Sequence, residues 1–233
     1  DFLEFQHRIH RRMSRECAGI VATGLPYFWD HVLSDIRRRI DLAVPDHGAR
    51  VFRLPQGGFL VLSKAAKFAI DPSGYGVEHM LYDSLDFVLL TAPLDLCKRN
   101  DQLLIRMLLT GKTFITHIAF HLPGIDAGKL VLAQPGQGYD HKGLRITVMG
   151  DRDEKGNVGL SVGYHIRWPD GLTIVHAGEG GGAEQMPHEV RAVDLLLLSA
   201  EHTAPAAAAH RIAAKLTILD DVFQCAHRPG GDG

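Results

Sequence analysis

Residues 159–179 constrain the fold more than any other part of this chain. Apolar residues alternate with small or polar ones on both sides of Pro169-Asp170-Gly171, and this pattern predicts two strands joined by a tight turn. The second strand ends on Gly178, and Glu179 follows at once. A carboxylate that directly follows a buried strand lies at the open edge of a sheet, where ligands are commonly held. The stretch therefore predicts a β-rich domain with Glu179 at a functional edge.

Composition restricts the class of protein. With 233 residues, 45% of them hydrophobic and 22% charged, the chain can build one large globular domain, or a domain with a small appendage. The formal net charge of -2 gives no reason to expect a nucleic-acid partner. No apolar run approaches the ~18 residues of a membrane span, so no membrane partner is expected. Three scattered cysteines do not make a disulfide framework, which favours a cytoplasmic setting: Cys17, Cys97 and Cys225.

Residues 1–45 differ from the rest and predict a helical hairpin. Apolar residues recur at spacings of three and four in both halves, at Phe2, Phe5, Ile9 and Met13 and again at Trp29, Leu33, Ile36 and Ile40. Gly24 and Pro26 interrupt the pattern between the halves. We interpret the many arginines here as a solvated helix face rather than a patch for an anionic partner. The apolar stripe predicts packing on the main domain or on a second copy, which would make a homo-oligomer.

From residue 46 onward, short strands alternate with turns and two helices. Strands are predicted at 50–54, 59–63, 67–71, 86–91, 113–118, 129–133, 144–149, 193–199 and 221–225, in addition to the pair in 159–179. Helices are predicted at about 101–109 and at 205–215. Strands first, then alternating strands and helices, then a second strand series indicate two sheets enclosed by helices.

This order of features resembles the metallo-β-lactamase fold, in the branch that includes ascorbate-6-phosphate lactonase. The strand that ends in Asp71-Pro72 resembles the family's opening, and strand 86–91 is similar to the one that delivers a His-x-His-x-Asp-His metal loop. Glu179 stands where the family has the Asp that bridges two metals. The resemblance implies a four-layer αββα sandwich over residues 46–228, preceded by the hairpin 1–45 and followed by a flexible tail, 229–233.

The resemblance also implies that most metal ligands are missing. Aligned from Thr91, the four positions of the metal loop fall on Ala92, Leu94, Leu96 and Cys97. The next family histidine falls near Asp151 and Asp153, and the last one matches His227. All three histidines of the first metal are therefore replaced, and a binuclear centre is not expected.

The remaining donors leave three hypotheses open. Cys97, Glu179 and His227, with Cys225 as a further contributor, are a plausible ligand set for one Zn²⁺ or another divalent metal. A metal-bound water would then attack a small ester, lactone or amide. Without metal, Cys97 and His227 would act as nucleophile and base, with Glu179 orienting the imidazole. Alternatively, the protein is a catalytically silent module for binding or assembly. In each case the expected partner is a small-molecule ligand.

The pair formed by His117 and His121 is discounted as a metal site. His117 and His121 are four residues apart, and their apolar neighbours favour a strand. On a strand the two side chains share a face but stand about 13 Å apart, which is too far for one ion.

Overall fold

The computed structural model of the chain describes most of the predicted β-rich domain. The described residues are 34–38, 44–54, 57–72, 81–91, 101–117, 130–150, 161–178, 190–199 and 205–220. Residues 34–38 are helical, and Ile36 is buried. The rest of the predicted N-terminal hairpin, apart from residues 44 and 45, lies outside the described residues.

Six strands form the first sheet, and their order in space follows their order in the chain. They are β1 (Ala49–Arg53), β2 (Phe59–Ser63), β3 (Lys67–Ile70), β4 (Phe87–Leu90), β5 (Thr113–Thr116) and β6 (Leu130–Leu132). The pairs β1–β2 and β2–β3 are antiparallel, and β3 to β6 run parallel. Every residue of β2 and β4 is buried, as expected for strands covered on both faces.

The second sheet also has six strands, in the order β12-β11-β10-β9-β8-β7. They are β7 (Gly138–His141), β8 (Leu144–Met149), β9 (Gly163–Arg167), β10 (Thr173–His176), β11 (Leu195–Ser199) and β12 (Leu216–Asp220). Strands β7 to β10 are antiparallel neighbours, whereas β10, β11 and β12 run parallel.

Three apolar clusters show how the layers stack. The largest lies between the two sheets and includes Phe68 and Phe87 from the first sheet and Tyr164 and Ile166 from the second. The outer face of the first sheet is covered by helix α1 (Asp101–Leu109). The outer face of the second sheet is covered by helix α2 (Pro205–Arg211). This arrangement confirms the predicted four-layer αββα sandwich.

Local periodicity predicted most of these elements. The hairpin β1–β2, the pair β9–β10 and helix α1 occur where the sequence placed them. Strand β7 was not predicted, because Gly-Tyr-Asp-His has too few apolar residues to show a strand pattern. Within the described ranges, no helix is long and apolar enough to cross a membrane.

The prediction of a helix at 205–215 was wrong at its C-terminal end. Helix α2 stops at Arg211 because Ala213 takes a left-handed backbone conformation (φ 49°). The amides of Ala213 and Ala214 then donate to the carbonyls of His210 and Ala209, each at 3.1 Å, which is the Schellman arrangement. An alanine in place of the usual glycine hid this ending from the sequence. The chain enters β12 at Leu216, and the strand predicted at 221–225 lies outside the described residues.

Candidate functional site

Thr91, the residue that follows β4, is fixed by the residue that follows β3. The Asp71 carboxylate accepts the Thr91 backbone N–H on one oxygen (2.8 Å) and the Thr91 hydroxyl on the other (2.5 Å). Asp71 itself has a left-handed backbone (φ 46°), which Asp tolerates better than most residues do. Two bonds to an ionised group hold the chain firmly at the point where it enters residues 92–100.

Residues of the second sheet and of the segment before it also hold the end of β4. The Val162 N–H donates to the Thr91 carbonyl oxygen at 2.8 Å. The Tyr164 hydroxyl donates to the Leu90 carbonyl oxygen at 2.7 Å and lies 3.2 Å from that of Ile115. Tyr164 is fully buried, and burial, followed by the charge of Asp71, raises its pKa well above the usual value. The hydroxyl therefore stays protonated and remains a donor.

The end of β10 meets the same place through a glycine turn. Gly178 has φ +77°, and a Cβ built on it would lie 2.4 Å from the Val162 carbonyl oxygen. Only glycine fits here without displacement of the backbone. Thr91 and Gly178 thus both contact Val162, and the ends of β4 and β10 converge there.

His176 supports this turn from inside the sandwich. Its side chain is buried, and its ring lies edge-on to Phe59 of the first sheet, with ring centroids 5.8 Å apart. The Nδ1 atom accepts the Gly178 N–H at 3.1 Å. We call the junction formed by Asp71, Thr91, Val162, His176 and Gly178 the strand-end site.

Each of the four predicted site residues follows a described strand in the sequence. Glu179 follows Gly178 directly, and Cys97 belongs to the segment that follows Thr91. Cys225 and His227 follow β12. The four residues lie outside the described residues, so their mutual distances stay predictions. The structure does bring together the two chain positions, Thr91 and Gly178, that precede Cys97 and Glu179.

The assignment of His227 rested on a final strand at 221–225. The described strand that pairs with β11 is β12, which ends at Asp220. Residues 221–227 lie outside the described residues, so the predicted spacing between the final strand and His227 stays a prediction. The roles of His227 and Glu179 both stay predictions.

The expectation that no binuclear metal centre forms rests on the sequence alignment and stays a prediction. Strand β4 ends at Leu90, one residue before its predicted end, and the alignment from Thr91 places Ala92, Leu94 and Leu96 at three ligand positions, none of which has a metal-binding side chain. The described part of the chain contains no group of three or more His, Cys, Asp or Glu side chains placed to hold a metal ion. A single ion would depend on Cys97, Glu179, Cys225 and His227.

The sequence did not single out Tyr164 and His176, although one signal pointed to them. Both occupy inward-facing positions of strands whose other inward positions are apolar, as Ile166 and Ile174 are. A polar side chain buried at such a position requires a hydrogen-bond partner, which makes it informative. Their partners, Leu90 and Gly178, could not be identified without the tertiary structure.

Among the other described histidines, His117 lies beside the strand-end site, because it follows Thr116, the register partner of Leu90, as Thr91 follows Leu90. Strand β5 runs from Thr113 to Thr116, and His117 follows it, whereas His121 is outside the described residues. His141 lies at the end of β7 against the Phe87 ring, at the opposite end of β4 from Thr91. Burial lowers the pKa of both His141 and His165.

Comparison with known proteins identifies the fold. No family model and no curated protein matches the sequence. Among solved structures, the metallo-β-lactamase fold protein YhfI from Bacillus subtilis is similar with a TM-score of 0.53 at 15% identity, covering 74% of this chain and 80% of that chain. Igni18, a metallo hydrolase from the archaeon Ignicoccus hospitalis, is similar with a TM-score of 0.54 at 19% identity, covering 73% and 81%. The chain has the metallo-β-lactamase fold, as its sequence predicted.

Proposed function

We propose that this protein is a divergent hydrolase of the metallo-β-lactamase fold that acts on a small ester, lactone or amide at the strand-end site. The observation that carries the proposal is the convergence of Thr91 and Gly178 on Val162. It supports placing Cys97 and Glu179 on one edge of the sandwich. The structural similarity to Igni18, which is described as a metallo hydrolase, supports the reaction class.

The site would work with one metal ion or none. In the first version, Cys97, Glu179 and His227 would hold a divalent ion, with Cys225 as a further contributor. The ion would supply a water of lowered pKa as the nucleophile. Glu179 is one methylene longer than the aspartate of the family, and that extra bond of ~1.5 Å would crowd two bridged ions but reach one.

In the metal-free version, His227 takes the proton of the Cys97 thiol, and the thiolate attacks the carbonyl carbon. The tetrahedral intermediate expels the alcohol or amine, which takes the proton back from His227. Water then attacks the thioester, which releases the acid and restores the thiol. Glu179 keeps the imidazole in the orientation that both steps need.

A second candidate is a catalytically silent module for binding or assembly. The apolar residues Ala92, Leu94 and Leu96 at three ligand positions favour it, because an abandoned metal site tends to fill with such side chains. In this case the proposed partner is a small-molecule ligand or a second copy that packs on Trp29 and Leu33.

One variant separates these versions. The wild type and Glu179→Gln are purified without chelator and compared for metal content, for thermal stability and for hydrolysis of p-nitrophenyl acetate, an aliphatic lactone and an anilide. With one metal, Glu179→Gln lowers metal content and turnover together. Without metal, it lowers turnover while the melting temperature stays near that of the wild type. Asp140→Asn is the control, because Asp140 is an exposed carboxylate remote in sequence from the site.

The silent module predicts a different pattern. Neither protein hydrolyses any substrate, and Glu179→Gln is neutral or stabilising by on the order of 1 kcal/mol, since it removes a carboxylate that is costly to bury. A stable oligomer that dissociates in Trp29→Ser and Leu33→Ser variants would support the assembly role. Turnover by a monomeric wild type would exclude it.

A further inference from the structure

We infer that His176 is a positioning residue of the strand-end site, which it serves by holding the turn that carries the chain from β10 to Glu179. The inference deepens the proposed function and rests on the role proposed there for Glu179. Its basis is one hydrogen bond, from the Gly178 N–H to His176 Nδ1 at 3.1 Å.

This hydrogen bond determines the tautomer of the His176 imidazole. A nitrogen that accepts a hydrogen bond has a free lone pair, so Nδ1 is unprotonated and the ring is neutral with its proton on Nε2. The acceptor reaches an amide two residues further along the chain, as an Asn or Asp side chain does in an Asx turn. His176 therefore closes the turn at Gly178 with its own side chain.

Packing alone does not account for a histidine here. The side chain is only 5% exposed and contacts the Phe59 ring, and an apolar residue would fill that space as well. Its partner in the β9–β10 register is Tyr164, whose hydroxyl pins the end of β4 in the same way that His176 pins the end of β10. Each of these two inward-facing polar side chains forms a hydrogen bond with the backbone at or just beyond the end of a strand.

The turn is confined on its other side by Val162. The Val162 carbonyl oxygen leaves no room for a side chain at Gly178, so the turn lies between this oxygen and the His176 ring. Without the Nδ1 acceptor, the Gly178 N–H loses the partner that it has in the folded protein. We expect the consequence to fall on the chain next to Gly178 rather than on the core between the sheets.

The test compares variants that differ in the acceptor. His176→Leu keeps an apolar side chain against Phe59 and removes the acceptor, whereas His176→Asn restores an acceptor two residues before Gly178. Amide hydrogen exchange, followed by mass spectrometry, is measured on the peptide that covers residues 177–180. We expect the exchange rate in His176→Leu to rise at least about fivefold over the wild type, the factor that one hydrogen bond typically contributes. In His176→Asn we expect a rate near that of the wild type. Peptides from β2 and β9 should exchange as in the wild type.

His165→Leu is the matched control. His165 lies on the neighbouring strand, opposite Val175, with its side chain on the outer face of the sheet. It should leave exchange in 177–180 unchanged. Unchanged exchange in His176→Leu, or equal acceleration in His176→Leu and His176→Asn, would overturn the inference. If His176→Leu does not fold, His176→Ala replaces it, because Ala and Asn both remove the ring and differ in the acceptor.

Turnover separates this inference from the proposed function. Hydrolysis of p-nitrophenyl acetate should show a lower kcat in His176→Leu and recovery in His176→Asn, measured at a temperature where both variants are folded. If the wild type hydrolyses nothing while exchange behaves as expected, the turn is positioned by His176 and the proposed function fails. If the wild type is active and His176→Leu keeps its kcat, the positioning role fails and the proposed function stands.

Discussion

The Asp71 carboxylate accepts both hydrogen-bond donors of Thr91, the backbone N–H at 2.8 Å and the hydroxyl at 2.5 Å. Because Asp71 follows β3 and Thr91 follows β4, one side chain fixes the relative position of two parallel strand ends. The segment that carries Cys97 begins at Thr91, so this pair sets the geometry of one half of the strand-end site.

Asp71→Asn should lower the free energy of unfolding by about 1–3 kcal/mol, because the amide offers one acceptor oxygen where two donors need one each. Urea denaturation of the variant and the wild type measures this loss. The control is Asp140→Asn, which breaks an exposed ion pair with Arg145 and should cost less than about 1 kcal/mol. Equal losses in the two variants would show that the Asp71–Thr91 contact does not stabilise the strand ends.

Gly178→Ala and Gly143→Ala form a matched pair, since both glycines have φ +77° and only Gly178 is crowded. A Cβ at Gly143 meets nothing within 4 Å, so this variant incurs only the left-handed backbone cost of about 1–2 kcal/mol. At Gly178 the contact with the Val162 carbonyl oxygen adds about 1–3 kcal/mol. Thermal denaturation should therefore show a larger loss for Gly178→Ala. A loss no larger than that of Gly143→Ala would contradict the close approach.

Tyr164→Phe should destabilise the protein by about 1–2 kcal/mol, because the Leu90 carbonyl loses a buried donor. Tyr139→Phe removes a hydroxyl that bonds to the Leu132 carbonyl oxygen and to Gln137 at the surface, where water replaces it. We expect less than about 0.5 kcal/mol for Tyr139→Phe. Urea denaturation measures both losses, and equal losses in Tyr164→Phe and Tyr139→Phe would contradict this expectation.

The protein should lose stability on mild acidification through His141. Burial lowers the pKa of this imidazole, the charge of Lys142 lowers it further, and Asp86 partly opposes both. Below the unfolded pKa of about 6.5, the unfolded chain therefore binds a proton that the folded protein resists. The free energy of unfolding falls as the pH drops from about 6.5 to the lower folded pKa, and then levels off with respect to this group.

His141→Gln checks this pH dependence, since glutamine carries no titrating group. Urea denaturation at pH 7.5 and at pH 5.5 should show a smaller loss on acidification in the variant than in the wild type. His165→Gln should act in the same direction, because burial and Arg167 lower the pKa of His165 as well. An unchanged loss in both variants would mean that neither imidazole is protonated preferentially in the unfolded chain.

The sequence by itself determined the elements whose signals are local. Alternating apolar residues located β9 and β10, a run of apolar residues located β4, and helical spacing located α1 at its observed bounds. The succession of these elements indicated the αββα sandwich. The glycine before Glu179 was also visible in the sequence, and it pointed to the edge where the strand-end site lies.

Only the tertiary structure decided which of these residues meet. Val162 joins Thr91 to Gly178, and Tyr164 reaches Leu90, 74 positions earlier in the chain. Strand β7 and the end of α2 were also decided there: β7 is held by its pairing with β8, and Ala213 adopts a left-handed turn that its residue type does not announce. Such contacts depend on the register and stacking of two sheets, which arise when distant apolar faces are buried together, and no local pattern encodes them.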